Sequence, residues 1–232
     1  EQPHNSQGNL HANNDIEFAD GGSSQSVHTG DLSAVDDIII GQKNRISGMA
    51  FAGDEVENDG EISGGFVDDA EVPVVPLPPV PPFSAGDDDI TVDEGQTLSL
   101  AQDSYVHVVV EESGKLILQG GTYQLKSLRL DDDAVLSVDL TGGAITINLE
   151  DELELESNVS MQFTPAVSTS QVTVHSTSSD KITIGDDSRF GCTLIAPKAT
   201  VALGEGVHFK GAICAKDITV SKGTRFGDHN NS

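Results

Sequence analysis

The chain has 232 residues, with 12 Lys+Arg against 38 Asp+Glu and a formal net charge of −26. A nucleic-acid partner is excluded on that balance, because a phosphate backbone would be repelled by it. Hydrophobic residues at 36%, together with 24 glycines, give an ordinary apolar content that excludes disorder throughout, and 8 Phe with no Trp leave the core to Val, Ile, Leu and Ala, which suits stacked strands.

Glu1 to Gly8 carry no basic-then-apolar signal pattern, as in a mature or excised chain, and no window approaches the ~18 apolar residues that span a bilayer. From there a unit of one apolar residue, five mostly polar residues and a second apolar residue recurs nine times. Its copies are Ile40–Ile46, Val56–Ile62, Val92–Leu98, Val110–Leu116, Leu130–Leu136, Leu155–Met161, Ile184–Phe190, Leu203–Phe209 and Val220–Phe226. The starts lie 16, 36, 18, 20, 25, 29, 19 and 17 residues apart, an underlying period near 18 with insertions. Apolar residues around each unit alternate, as in Ile38/Ile40, Ile145/Ile147/Leu149 and Ile218/Val220, which means strands with one buried face. No stretch shows helical spacing. These features predict an all-β chain, a parallel β-helix or solenoid of about 10–12 coils, right-handed by the crossover rule.

A second signature, Gly8-Asn9-Leu10-His11-Ala12, returns at Gly30 to Ala34, Gly48 to Ala52, Cys192 to Ala196 and Gly211 to Ala215, where a narrowing coil admits only small inward side chains. Phe190, Phe209 and Phe226 are expected to stack inside. Six of nine prolines fall between Pro73 and Pro82. Proline cannot donate to a ladder, so 68–86 is expected to run outside as extended polyproline II, between N-terminal coils in 1–67 and a main solenoid in 87–232. The PxxP matches at Pro73, Pro76 and Pro79 lack a basic flank and read as a rigid spacer.

No GxSxG, P-loop, HExxH or CxxC occurs, and the seven histidines share no ligand spacing, which reads as a non-enzyme with solvated or loop histidines. A carbohydrate-active reading is disfavoured because the 12 Lys+Arg are spread over all coils. Superposing Phe190 on Phe209 puts Cys192 and Cys214 three positions apart on adjacent strands, too far and on opposite faces for a disulfide, so Cys192 is expected inward and Cys214 outward.

The run Phe190 to Pro197, followed by Ala199-Thr200-Val201 and the LGEG turn, together with PLPPVPPFSAG, Gly120-Gly121-Thr122-Tyr123 and Thr141 to Asn148, resembles the β-helical repeat domains of exported bacterial surface and pilus-associated proteins. It is more distantly similar to the polymer-forming bactofilins. Cys192 departs from that pattern, where Gly is usual. The resemblance implies a surface-exposed structural role, extracellular or at the cell surface, with no catalytic residues.

Open terminal coils expose unpaired strand edges. Leu10, Ala12 and Ile16 of one copy stacking on Ile218, Val220 and Phe226 of another would make a head-to-tail homopolymer, a filament or surface fibre. The alternative is a monomeric adhesion or ligand-binding module for glycan or ice, for which outward Thr146, Thr173, Thr183, Thr200 and Thr219 supply a partial column. Finally, Glu111, Glu112, Asp131, Asp132 and Asp133 are expected along one edge with coils about 4.8 Å apart. That edge is either solvated or bridged by a divalent cation such as Ca2+.

Overall fold

The computed structural model describes residues 9–21, 26–75, 83–165 and 171–226. It is an all-β parallel solenoid of about ten turns, with one short 3-10 turn at Leu140–Gly142. Each full coil presents three faces, seen for example in Val172–Ser176, Ile182–Ile184 and Arg225–Phe226. The seven-residue unit is the turn between the second and third faces. Its fourth residue adopts left-handed φ in Lys43 (64°), Gly95 (65°), Ser113 (57°), Asp133 (59°), Asn158 (60°), Asp187 (54°), Gly206 (67°) and Gly223 (75°). Gly, Asn and Asp tolerate that region best, which accounts for the composition of the position. The fifth residue turns inward in all these copies but Val92–Leu98, where Gln96 is exposed: Asn44, Ala134, Val159, Ser188, Val207 and Thr224 are buried. Ser188 Oγ there accepts the Val159 amide at 3.0 Å and donates to the Glu156 carbonyl at 3.1 Å, so a polar group inside the turn meets its partners.

Eight copies of the unit share one register. The ninth, Val56–Ile62, has a turn two residues shorter: its end keeps the register, Ile62 on Ile46, while Asn58 and not Val56 pairs with Ile40. An additional, longer version, Phe18 to His28, does not show as a repeat in the sequence because four extra residues separate its ends; it lies in register with Val220 and Phe226. The expected stack of Phe190, Phe209 and Phe226 forms, with ring centroids 6.3 and 6.1 Å apart. It continues onto His28, 5.0 Å from Phe226, and Phe18, 6.2 Å from Phe226. His28 is thus a core residue with no exposed surface, not a solvated one, because the register sets it on an inward position above Phe226. Cys192 pairs with Gly211 and Ile195 with Cys214; Cys192 is buried, Cys214 partly exposed, and both are free, as expected.

The coils do not stack in chain order. The last coil of the main solenoid pairs with the N-terminal coil of the same chain, Leu10 on Ile213, Ala12 on Ala215 and Ile16 on Ile218. The strand Arg225–Phe226 likewise pairs with Val27–His28. Successive coils at 32–46 and 50–62 continue the stack, and Phe66–Val67 ends it. The residues assigned to a contact between copies, Leu10, Ala12, Ile16, Ile218, Val220 and Phe226, are therefore a correction: they pair within one chain, are fully or almost fully buried and offer no edge to a second copy. The free edges lie instead at Ile90–Val92 and at Val56–Asn58 through Phe66–Val67. Acidic residues flank both, Asp87, Asp88, Asp89 and Asp93 at one end and Glu55, Glu57, Asp59 and Glu61 at the other, so like charges oppose stacking of one end on the other.

Residues 68–86 must then return from one end to the other. Ten inter-coil steps span about 48 Å and 19 extended residues reach about 59 Å, so the segment is long enough. The Asn13 side chain pairs both backbone groups of Val75, at 2.7 and 3.2 Å, and Glu150 accepts the Ala85 amide at 3.1 Å; these contacts hold Val75 and Ala85 at the corner between the first two faces. The polyproline expectation for Pro76, Pro78, Pro79, Pro81 and Pro82 lies outside the described residues.

Glu17 and Thr219 are outward partners across the join between first and last coils. In a Cys214→Ser background, Glu17→Cys with Thr219→Cys is expected to form a disulfide inside one chain, since adjacent parallel strands bring Cα atoms within the ~4.4–6.8 Å that a disulfide needs. Non-reducing electrophoresis should show a monomer band; a ladder of multimers would restore the joining of separate copies.

Candidate functional site

The first face is built so that alternate residues point out. One outward column runs Thr122, Thr146, Thr173, Thr193 and Ala212, each pair in direct register. Two residues further along each strand, a second column runs Gln124, Asn148, His175, Ile195, Cys214, His11, Ser33, Phe51 and Val67. Spacing is ~4.8 Å between coils and ~6.7 Å between columns. The protein carries 38 Asp+Glu and 12 Lys+Arg, yet between Thr122 and Ala212 neither column contains one; the first column meets a carboxylate only at the exposed Asp31, two coils beyond Ala212. The outward column of the second face, by contrast, includes Arg129, Glu154, Glu17 and Glu57.

Several outward side chains are tied along the axis. Ser104 Oγ lies 2.8 Å from Gln124 Oε1, His175 Nδ1 lies 3.2 Å from Asn148 Oδ1, and His11 Nδ1 lies 2.8 Å from Ser33 Oγ. Burial lowers the pKa of both His11 and His175 from the ordinary value, so the imidazoles are neutral at pH 7 and the face stays uncharged. Beneath it lie Tyr123, Ile147, Val174, Leu194, Ile213, Leu10 and Leu32, nearly all without exposed surface, which hold the outer array on a packed layer.

The threonines expected to share a column divide among three. Thr146 and Thr173 belong to the first face and are joined by Thr122 and Thr193, which sequence reasoning missed. Thr183 and Thr219 sit on the second face, separated by Ala202. Thr200 stands beside Asp217 and donates to its carboxylate at 3.1 Å.

The five candidate cation ligands are not brought together; among the described residues no group of three or more His, Cys, Asp or Glu side chains could hold a metal ion. Asp131 takes the Arg129 guanidinium at 2.8 Å, Asp132 accepts the Ser157 amide at 2.9 Å and Glu111 accepts the Glu94 amide at 3.2 Å. Asp133 is the left-handed turn residue, and the Glu112 carbonyl receives the Gly95 amide at 3.3 Å. The physical reason is that amides at the turns need acceptors, and a carboxylate from a neighbouring coil supplies one. Asp186 does the same for Glu205 at 2.7 Å, and Asp15 for Asp37 at 3.1 Å. EDTA at fixed ionic strength is accordingly expected to leave the melting midpoint unchanged; a fall reversed by Ca2+ but not by NaCl would reinstate the bridge.

No protein-family model matches the chain, and no curated protein matches it. Among solved structures, the fold is similar to an ice-binding protein from the Antarctic ascomycete Antarctomyces psychrotrophicus, at TM-score 0.53 and 15% identity, covering 97% of this chain and 96% of that one. An ice-binding protein domain from Shewanella frigidimarina aligns at TM-score 0.42 and 15% identity over 97% and 94% of the two chains. Neither is a pilus-associated protein or a bactofilin. No helix among the described residues is long and apolar enough to cross a membrane.

Proposed function

We propose that the chain binds ice as a monomer through its uncharged first face, outside the cell. The observation that carries this reading is the two-column array of Thr, Asn, Gln, Ser, Ala and neutral His, with no formal charge, on a molecule of net charge −26. An ice surface offers no ion to pair with, so recognition must come from a stiff repeat of hydroxyls and methyls that orders water at the lattice's own ångström-scale spacing. A charged group would hold its own hydration shell and break that order. The threonine ladder meets this need: each β-branched side chain has a restricted χ1 and presents one hydroxyl and one methyl at every coil. The similarity to the ascomycete ice-binding protein supports the reading at the level of the scaffold.

Neutrality of the face also sets a pH dependence. His11 and His175 have lowered pKa values, so activity should hold from neutrality to below the ordinary imidazole pKa of about 6.5 and fall only once both rings gain protons. Ice-recrystallisation inhibition, read by microscopy of annealed frozen droplets at micromolar protein, tests the proposal. Fine grains that persist at pH 7 and coarsen when the pH is taken down towards 4 support it. Coarsening at pH 7 equal to that of an albumin control overturns it.

A further inference from the structure

The third face has the opposite character from the rest of this acidic molecule. Its outward column reads Lys115, Val135, Ser160, Arg189, His208, Arg225, Val27 and Arg45 in unbroken register, and no carboxylate enters it until Glu61. Two residues along, Gly191 and Lys210 are partners, so Lys210 flanks His208. Cations that seemed scattered when counted along the chain are therefore gathered on one face. Elsewhere, Lys126, Arg129, Lys216 and Lys222 are each matched to a carboxylate, as is Arg45 at the end of this column. Neither Arg189 nor Arg225 is in an ion pair among the described residues, although carboxylates outnumber cations threefold overall. Arg189, His208, Lys210 and Arg225 line a groove of about 190 Å³ that Phe163 and Met161 close on one side.

We propose that this groove, together with the column above and below it, binds a sparse linear polyanion, an acidic polysaccharide, laid along the solenoid axis. The spacing argues for the ligand class. Arg189 and Arg225 are two coils apart, ~9.6 Å, and that spacing sets the distance between the anionic partners they want. That is the scale of one carboxylate or sulfate per one or two sugar rings. Double-stranded DNA carries a charge every ~1.7 Å, far denser than the cations of the column. Guanidinium forks suit the binding of planar carboxylates in bidentate geometry, and the ring of Phe163 gives a sugar an apolar wall. The site lies on a different face from the threonine ladder and does not depend on the ice reading.

The test is binding of oligouronate, chain length about ten sugars, by isothermal titration calorimetry in chelator-treated low-salt buffer, with neutral dextran of equal length and single-stranded oligothymidylate as comparisons. The wild-type chain is expected to bind oligouronate and not dextran, and Arg189→Ala with Arg225→Ala to weaken binding by about tenfold or more, a loss of ~1.4 kcal/mol or more. Lys126→Ala with Lys216→Ala, cations at the corner between the first two faces, should change it little. An unaltered far-UV spectrum and melting midpoint for the arginine variant would separate lost contact from lost fold, and Arg189→Lys with Arg225→Lys provides a second variant that retains charge and is expected to bind at intermediate strength. No binding by the wild type, equal binding by the arginine variants, or oligothymidylate bound as tightly as oligouronate would each overturn the proposal.

Discussion

Replacing Thr173 with Tyr is expected to abolish ice-recrystallisation inhibition while leaving the melting midpoint close to that of the wild type. Thr173 sits in the middle of the threonine ladder, with Thr146 on one side and Thr193 on the other, and its side chain is only partly exposed. A phenol ring there stands well above its neighbours, so the flat array touches ice at one point and loses contact across adjacent coils. Loss of even ~1.4 kcal/mol of surface free energy is a tenfold fall in affinity, and a displaced array forfeits more than that. The backbone has no reason to object, because tyrosine favours strands and the position points outward. Thr183→Tyr is the matched control: it also replaces an outward threonine with tyrosine but on the second face, and activity should be retained. Equal loss in both variants would remove the first face from the account.

His28→Phe is expected to make the protein markedly more resistant to acid. His28 is fully buried between Phe18 and Phe226, and burial lowers its pKa to about 4. Its Nδ1 has no hydrogen-bond partner, and Nε2 reaches only the Asp31 carbonyl at 3.4 Å, so a second proton would be held without compensation. The unfolded chain takes that proton near pH 6.5, whereas the folded chain resists it until about pH 4. Between those values the unfolded state binds more protons, so stability falls as pH falls, starting near 6.5 and levelling off below about 4. The difference of pKa corresponds to roughly 3 kcal/mol by the lower limit. Phenylalanine extends the aromatic ladder and removes the titration. Urea melts at pH 7 and pH 4 should show a smaller fall for His28→Phe than for wild type; identical falls would mean that His28 has no part in acid sensitivity.

The two parts of the molecule that were hard to read from sequence were hidden for different physical reasons. Coil order was missed because both edges of a parallel coil carry the same hydrogen-bonding pattern, so nothing in one strand dictates that its partner be the next in the chain. A trace was nevertheless present. The Gly-to-Ala signature occurs at Ala12, Ala34, Ala52, Ala196 and Ala215, and these alanines form one buried ladder in the order Ala196, Ala215, Ala12, Ala34, Ala52. A narrowing of the coil must be shared with its spatial neighbours, so a signature common to the two ends of the chain marked them as adjacent. The cysteine geometry, the aromatic stack and the seven-residue unit were legible because each depends only on local register.

The functional face was obscured by irregular spacing. Consecutive ladder threonines are 24, 27 and 20 residues apart, because turns and corners differ in length from coil to coil while strands stay in register. Counting along the chain therefore mixed three outward columns into one. The carboxylates misled differently: an acidic turn looks the same in sequence whether it waits for a cation or caps the amide of the next coil, and only the coordinates of Asp132 and Asp186 decide for the second.

Partition of fluorescently labelled protein into a slowly growing ice hemisphere, with the solution species sized in parallel by light scattering, tests the central claim most directly. Label should be attached at Lys222, in the turn between the second and third faces and so opposite the threonine ladder, so that the ladder remains bare. The account predicts a monomer in solution that enters the ice uniformly, and a Thr146→Lys, Thr173→Lys variant that stays in the liquid. Exclusion of the wild-type monomer from ice to the same extent as that variant would contradict it.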